Sequence, residues 1–278
     1  MRKVGVIGLG HVGSTVAYTL VTKGIADELV LIDSNEAKCT AEFYDLLDSL
    51  GRLDTYTKLS MNDYQALQDA DVVITSFGDI KALAEGGNRF LEYSFNCRQA
   101  KQVGTALKEA GFHGILINIS NPCDVITGLL QHYTGLSRQQ VFGTGTFLDT
   151  ARMQRAVSMA LDQNPHNIAG YVLGEHGESQ FAAWSTITVQ GEPITEIATC
   201  YAIATCAVKL LQAVFSDAKL ACPASVYLED YGCYVGYPAV IGKDGVEYVH
   251  RLGLTDEEKE LLDKSAQMIA QKTKEGIL

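Results

Sequence analysis

Apolar and polar positions along this chain fall into a repeating order. A short β-branched run, Val4-Gly5-Val6-Ile7, passes through a glycine-rich stretch into a segment of helical character, Ser14 to Thr22. A second apolar run, Leu29-Val30-Leu31-Ile32, ends in Asp33. Ala37 to Leu50 reads as an amphipathic helix, and Val72-Val73-Ile74-Thr75 as a short buried strand ending near Gly78. Lys81 to Asn88 is polar and contains glycine, so a loop is expected there. Arg89 to Glu109 has helical spacing with its charges on one side. Gly114-Ile115-Leu116-Ile117-Asn118-Ile119 is another buried strand, stopping at Ser120-Asn121-Pro122. Strands that alternate with helices predict a parallel sheet with right-handed crossovers. Ligands of such sheets gather at the carboxyl ends of the strands, here Gly8, Asp33, Gly78 and Asn121.

From Val141 the texture changes. Phe142-Gly143-Thr144-Gly145-Thr146 is rich in turn residues. A helix is expected from about Asp149 to Leu161, with Asn164-Pro165 ending it. Strand-like runs surround Gly174-Glu175-His176-Gly177 within residues 168–190. A helix near 202–219, strands near 222–241, a hairpin turn at Lys243-Asp244-Gly245 and a charged helix from Thr255 to Lys274 follow. The expected fold class is α/β. Residues 1–141 form a doubly wound parallel sheet of Rossmann type, and residues 142–278 a mixed α/β domain.

Composition narrows the possibilities. With 278 residues and 47% hydrophobic content, the chain has ample core for one large or two ordinary domains. A net charge of −11 without a basic run argues against nucleic-acid and acidic-membrane partners. No apolar stretch approaches the roughly 20 residues that a membrane span needs. Val4–Ile7 already belong to a strand that Gly8 interrupts, so the first residues do not read as a signal peptide. Seven scattered cysteines without a C-x-x-C pair read as reduced, mostly buried thiols in a cytoplasmic protein. No metal site is assigned. Asn118-Ile119-Ser120 matches a glycosylation sequon but lies in an apolar run, and is taken as chance.

The first strand and helix carry the strongest motif. Gly8-Leu9-Gly10-His11-Val12-Gly13 has G-x-G-x-x-G spacing, and Asp33 follows Gly13 by 20 residues. Gly8 permits a tight turn, Gly10 lets a pyrophosphate approach the backbone, and Gly13 lets helix pack on strand. The helix N-terminus offers free N–H groups and partial positive charge to phosphates. Asp33 is placed to accept hydrogen bonds from a ribose diol and would repel a 2′-phosphate. The expected cofactor is therefore NAD rather than NADP. Glycines that serve only a tight turn are the plainer alternative, and the strand, helix, second strand and acid in position argue against it.

Candidate chemistry lies further on. Asp149 and Arg152, three apart at a helix start, can point from one face. His176 lies in a glycine-flanked stretch that fits an exposed turn better than a core. A histidine with a carboxylate partner exchanges a proton near neutral pH, and an arginine can grip a carboxylate with two parallel hydrogen bonds. Taken singly, each has a plainer reading: a structural histidine and a surface ion pair.

Together with the glycine motif, the runs Ser120-Asn121-Pro122-x-Asp124, Leu148-Asp149-x-Ala151-Arg152 and Gly174-Glu175-His176-Gly177 stand in one order across most of the chain. In these the chain resembles the L-2-hydroxy-acid dehydrogenases, the family of lactate and malate dehydrogenases. Gly78-Asp79-Ile80-Lys81, Gly143-Thr144-Gly145-Thr146 and Tyr237-Pro238-Ala239-Val240-Ile241-Gly242 are most similar to its bacterial L-2-hydroxyisocaproate branch. The resemblance implies an NAD-dependent enzyme that interconverts 2-oxo acids and L-2-hydroxy acids. His176 would be the acid/base, Asp149 its orienting partner, and Arg152 the binder of the substrate carboxylate. Arg89 would swing in to polarise the carbonyl as the loop closes and expels water. Asn121 would hydrogen-bond the reacting oxygen, with a cis bond to Pro122. Gly8, Gly10, His11, Val12, Gly13, Asp33, Gly78 and Asn121 would hold NAD. A homotetramer is also implied.

The chain departs from the family at two places. Before Arg89 it carries Lys81-Ala82-Leu83-Ala84-Glu85-Gly86-Gly87-Asn88. Ala82 and Leu83 suit a branched apolar substrate such as 2-oxoisocaproate, whereas Lys81 would meet a second carboxylate, as in a malate-type substrate. Pyruvate is the alternative substrate, and a dinucleotide-binding sensor that has lost catalysis is the alternative class. The second departure is a junction: Ile197-Ala198-Thr199-Cys200 runs straight into Tyr201-Ala202-Ile203. Family members have helical segments there, ending in a glycine-lysine-glycine run and a substrate-touching threonine. One wall of the expected pocket is missing, and the expectation is an intact protein heavier than 30.1 kDa.

Overall fold

The computed structural model describes residues 2–78, 89–193 and 210–277. Within them, β1 (Lys3–Ile7), β2 (Glu28–Ile32), β3 (Lys58–Met61), β4 (Val72–Thr75), β5 (Ile115–Asn118) and β6 (Val141–Gly143) form a parallel sheet in the order β3-β2-β1-β4-β5-β6. This is the doubly wound order of two mononucleotide-binding halves. β1, β2, β4 and β5 are apolar on both faces because helices cover both sides of the sheet.

The helices are α1 (His11–Thr22), α2 (Glu36–Leu50), α3 (Arg89–Glu109), α4 (Cys123–Thr134), α5 (Phe147–Leu161) and α6 (Asp256–Ile277). Residues 210–215 are also helical. α2 starts where the Asn35 side chain accepts the Lys38 N–H. α6 starts on a reciprocal cap: the Glu258 N–H donates to Thr255 Oγ1, and the Thr255 N–H donates to Glu258 Oε2 at 2.8 Å.

The C-terminal half extends the same sheet. β12 (Leu220–Leu228), β13 (Cys233–Gly242) and β14 (Gly245–Val249) run antiparallel, and β12 joins β6 through Ser225 and Gly143. The described sheet thus has nine strands, the outer three antiparallel. Short strands β7 (Ile168–Ala169), β8 (Val172–Leu173), β9 (Phe181–Ala182), β10 (Thr188–Val189) and β11 (Glu192–Pro193) form two small accessory sheets.

The alternation of strand and helix stands as the sequence predicts. β3 carries no clear sequence signal because it is an edge strand without a buried residue. α5 ends before Asn164-Pro165: Asp162 takes a left-handed conformation with φ 51° and closes the helix. The hairpin turn is Lys243-Asp244, since Gly245 already pairs with Gly242. The loop expected at 81–88, the part of the expected helix at 202–209 and the junction at 200–201 lie outside the described residues. Asn118 is fully buried and donates to the Ser120 and Cys123 carbonyls and to Thr127 Oγ1, so the sequon has a structural use.

Candidate active site

The glycine loop after β1 opens a cavity of about 790 Å³ at the carboxyl ends of β1, β2 and β4. Gly8, Gly10, His11, Asp33 and Gly78 line it together with Tyr64, which no sequence motif marks. Val12 and Gly13 are not on its wall, and neither is Asn121. Gly8 has φ +93°, a left-handed conformation that glycine adopts without penalty. A Cβ on Gly13 would lie 1.8 Å from the Gly8 carbonyl oxygen, so only glycine lets α1 begin this close to β1. A Cβ on Gly10 would meet nothing within 4 Å, which leaves room on that side for a phosphate.

Asp33 braces this cradle. Its Oδ2 accepts the Leu9 N–H at 2.6 Å and its Oδ1 accepts the Asn35 N–H at 2.7 Å. Each oxygen keeps a second lone pair for a ribose hydroxyl. Open backbone N–H groups at the start of α1, a glycine without a neighbour, and an acid at the end of β2 fit NAD. Asn62 holds Asp33 in turn, accepting its N–H at 3.2 Å.

A second cluster lies at the start of α5. Asp149, in the first turn, is 2% exposed. Negative charge is favoured at a helix N-terminus. Its Oδ1 accepts from Arg152 Nη1 at 2.8 Å, and its Oδ2 pairs with His176 Nδ1 at 2.5 Å. The separation of 27 positions between Asp149 and His176 is closed by β8, which packs against α5. His176 does not stand in the exposed turn that its flanking glycines suggest. Its side chain is only 14% exposed, because the 174–177 loop is pinned on three sides. Gly174 exchanges hydrogen bonds with Gly236 of β13, the Glu175 N–H donates to Ser265 Oγ of α6, and the His176 N–H donates to Asp124.

The charges of this cluster support one another. Burial pushes the His176 imidazolium toward deprotonation, but the Asp149 hydrogen bond and the Asp149 and Asp124 charges outweigh it, so its pKa is raised above the ordinary value. Burial likewise works against the Asp149 carboxylate, yet His176 and Arg152 hold its pKa below the ordinary range. A proton-exchanging imidazole therefore sits against a carboxylate that stays ionised.

Asn121 is joined to Pro122 by a cis peptide bond, as expected, and is exposed. Its carbonyl accepts from the side chain of Asn96 at 2.7 Å. Asn96 is fully buried on α3, seven residues beyond Arg89, and ties that helix to the Asn121 turn. No local pattern marks it in the sequence. Arg89 is the first residue of α3; its side chain, like the loop before it, lies outside the described residues.

The fold and the two sites define a dehydrogenase that binds NAD and acts on hydroxy acids, and the chain belongs to the lactate/malate dehydrogenase family. The NAD-binding domain of that family matches residues 2–143, and its α/β C-terminal domain matches residues 146–200 and 195–277. The chain is 34% identical to L-lactate dehydrogenase 2 of Enterococcus faecalis over 305 positions, covering 97% of this chain and 96% of the relative. It superposes with TM-score 0.90 and 31% identity on a lactate dehydrogenase from a Medee basin deep-sea metagenome library, over 100% of both chains. It also superposes, with TM-score 0.88 and 28% identity, on the Cryptosporidium parvum lactate dehydrogenase complexed with lactic acid and NAD, over 99% and 98% of the two chains. None of the three is named a hydroxyisocaproate dehydrogenase. The C-terminal match comes in two pieces that overlap at residues 195–200, beside the sequence junction. The alignment with the Enterococcus faecalis relative exceeds this chain's 278 residues by 305 − 278 = 27, so at least 27 of its positions fall opposite gaps in this chain.

Proposed function

We propose that this protein is an NAD-dependent L-2-hydroxy-acid dehydrogenase that interconverts pyruvate and L-lactate in the cytoplasm, as a homotetramer. The observation that carries the catalytic reading is the His176–Asp149–Arg152 cluster on a fold built around a dinucleotide cradle. The choice of pyruvate follows the names of the similar proteins.

NADH, when bound, supplies the hydride that reduces the substrate's carbonyl carbon. His176 gives its proton to the carbonyl oxygen and becomes neutral; in the reverse direction it takes the hydroxyl proton. Asp149 holds the ring by Nδ1, so the other ring nitrogen serves the substrate, and its charge stabilises the imidazolium. Arg152 binds the substrate carboxylate by two parallel hydrogen bonds. Asn121 and Arg89 donate to the carbonyl oxygen, where negative charge develops. Gly8, Gly10, His11, Asp33 and Gly78, which line the cavity, would hold the cofactor, while Gly13 sets α1 close enough to β1 to present its N-terminus, with Val12 beside it.

A second reading is a preference for branched substrates such as 2-oxoisocaproate. The Gly143–Thr146 and Tyr237–Gly242 runs and the Ala82-Leu83 pair favour it. NADH oxidation with pyruvate, 2-oxoisocaproate and oxaloacetate separates the readings by kcat/KM. Pyruvate is expected to lead. A lead for 2-oxoisocaproate overturns the pyruvate assignment and directs mutation to Ala82 and Leu83. A lead for oxaloacetate directs it to Lys81. NADH binding without turnover of any of the three overturns the enzyme reading in favour of a sensor.

A further inference from the structure

Asp124 is a buried carboxylate that the chemistry above does not use. It lies in the first turn of α4 and is 1% exposed. Its oxygens have different partners: Oδ2 accepts the backbone N–H of His176 at 2.9 Å, and Oδ1 accepts the hydroxyl of Ser225, on β12, at 2.6 Å. Among the described residues no lysine or arginine forms an ion pair with it. A buried charge without a cation is costly, and two neutral donors need only neutral acceptors. The feature to be explained is why an ionisable group stands here.

Its surroundings supply a reason. The groups around His176 are Asp149 and Arg152 from α5, Asp124 from α4, and Glu175 of its own loop, with Lys272 of α6 at 3.6 Å from Glu175. Asp124 itself faces His176, Glu175, Ser225 and the buried thiols of Cys123 and Cys233. His176 is thus gripped twice. Asp149 takes its ring by Nδ1, and Asp124 takes its backbone.

We propose that Asp124 is a positioning residue for His176, fixing its backbone through Oδ2 and setting a second carboxylate charge against its imidazolium. The proposal rests on the reading of His176 as the acid/base. It also links both halves of the site, because Asn121, whose carbonyl Asn96 holds, is three residues upstream on the same turn. Burial pushes the Asp124 carboxyl up to about 6, against the pull of the Ser225 and His176 donors. Above that pH it is ionised and favours the protonated imidazole; below it the added charge is lost.

The test is the pH profile of kcat/KM for pyruvate reduction in Asp124→Asn and Ser225→Ala, beside NADH binding followed by fluorescence. Reduction needs the imidazolium, so activity falls as pH rises through the His176 titration. Asp124→Asn is expected to move that alkaline limb to lower pH by about half a pH unit or more, to lower kcat, and to leave NADH affinity within about twofold. Ser225→Ala removes one hydroxyl from the carboxylate, weakens its ionised form and moves the limb the same way by less. It decides the matter alone if Asp124→Asn does not fold. An alkaline limb that stays within about 0.1 pH unit of wild type in the folded variants overturns the proposal, because packing alone would cost stability and leave the titration in place. Turnover that survives in His176→Gln overturns instead the reading on which it rests.

Discussion

At the residue scale the chemistry rests on one pair, His176 and Asp149. Removing a positioned proton donor costs roughly 10²–10⁴ in rate, so His176→Gln is expected to lower kcat by about that factor while NADH binding is kept. Asp149→Asn removes the charge that raises the His176 pKa. Its alkaline limb for pyruvate reduction moves to lower pH, and a limb that stays in place refutes Asp149 as the partner that sustains the imidazolium. The same pKa shifts bear on stability. The raised His176 pKa contributes stability that is fully present below the ordinary histidine pKa and is lost as pH rises through its folded value. The depressed Asp149 pKa contributes stability that is present above the ordinary aspartate pKa and is lost as pH falls through its folded value. The residue types and their order were legible in the sequence, but the contact was not. Asp149 and His176 meet only because β8 folds back on α5, and the resemblance rather than the spacing assigned them to one another. Asn96 and Asp124 were not read as functional at all. Their positions depend on packing between α3, α4 and β12, which no local pattern displays.

At the element scale the β1–α1–β2 unit was the most legible part of the chain. Its glycines obey local geometry: Gly8 needs a positive φ, and Gly13 has backbone within 1.8 Å of any added Cβ. Gly13→Ala must therefore push α1 away from β1. It is expected to destabilise the fold by several kcal/mol and to abolish NADH binding, read by thermal unfolding and fluorescence titration. Wild-type NADH affinity in this variant would refute the cradle. The reciprocal cap at Thr255 and Glu258 gives a milder case. Thr255→Ala is expected to cost about 0.5–2 kcal/mol in urea unfolding, with kcat unchanged. β3 escaped the sequence reading because an edge strand half open to water lacks the apolar run of its neighbours.

At the scale of the whole molecule, one sheet runs through both halves. The Ser225–Gly143 pair joins antiparallel β12 to the parallel set, and Ser225 also reaches Asp124. The two halves were expected as separate units because the periodicity changes near residue 141. Sequence periodicity cannot reveal a sheet shared across that change, since strand pairing is a long-range contact. The junction at Cys200–Tyr201 was legible only by comparison with the family's spacing, and the two pieces of the C-terminal match overlap beside it, at residues 195–200. Intact-mass spectrometry checks the expected additional segment. A mass above 30.1 kDa supports it, and a mass of 30.1 kDa refutes it. Light scattering checks the proposed homotetramer, expected at four times the intact subunit mass, a particle of 4 × 30.1 = 120.4 kDa or more.

The most direct test of the central claim is NADH oxidation by the full-length protein with pyruvate, measured beside His176→Gln under the same conditions. The account predicts steady turnover to L-lactate in the wild type, and in the variant a loss of about 10²–10⁴ in kcat with NADH still bound. Wild-type protein that binds NADH without oxidising it with any 2-oxo acid, or a variant that turns over as fast as wild type, would contradict it.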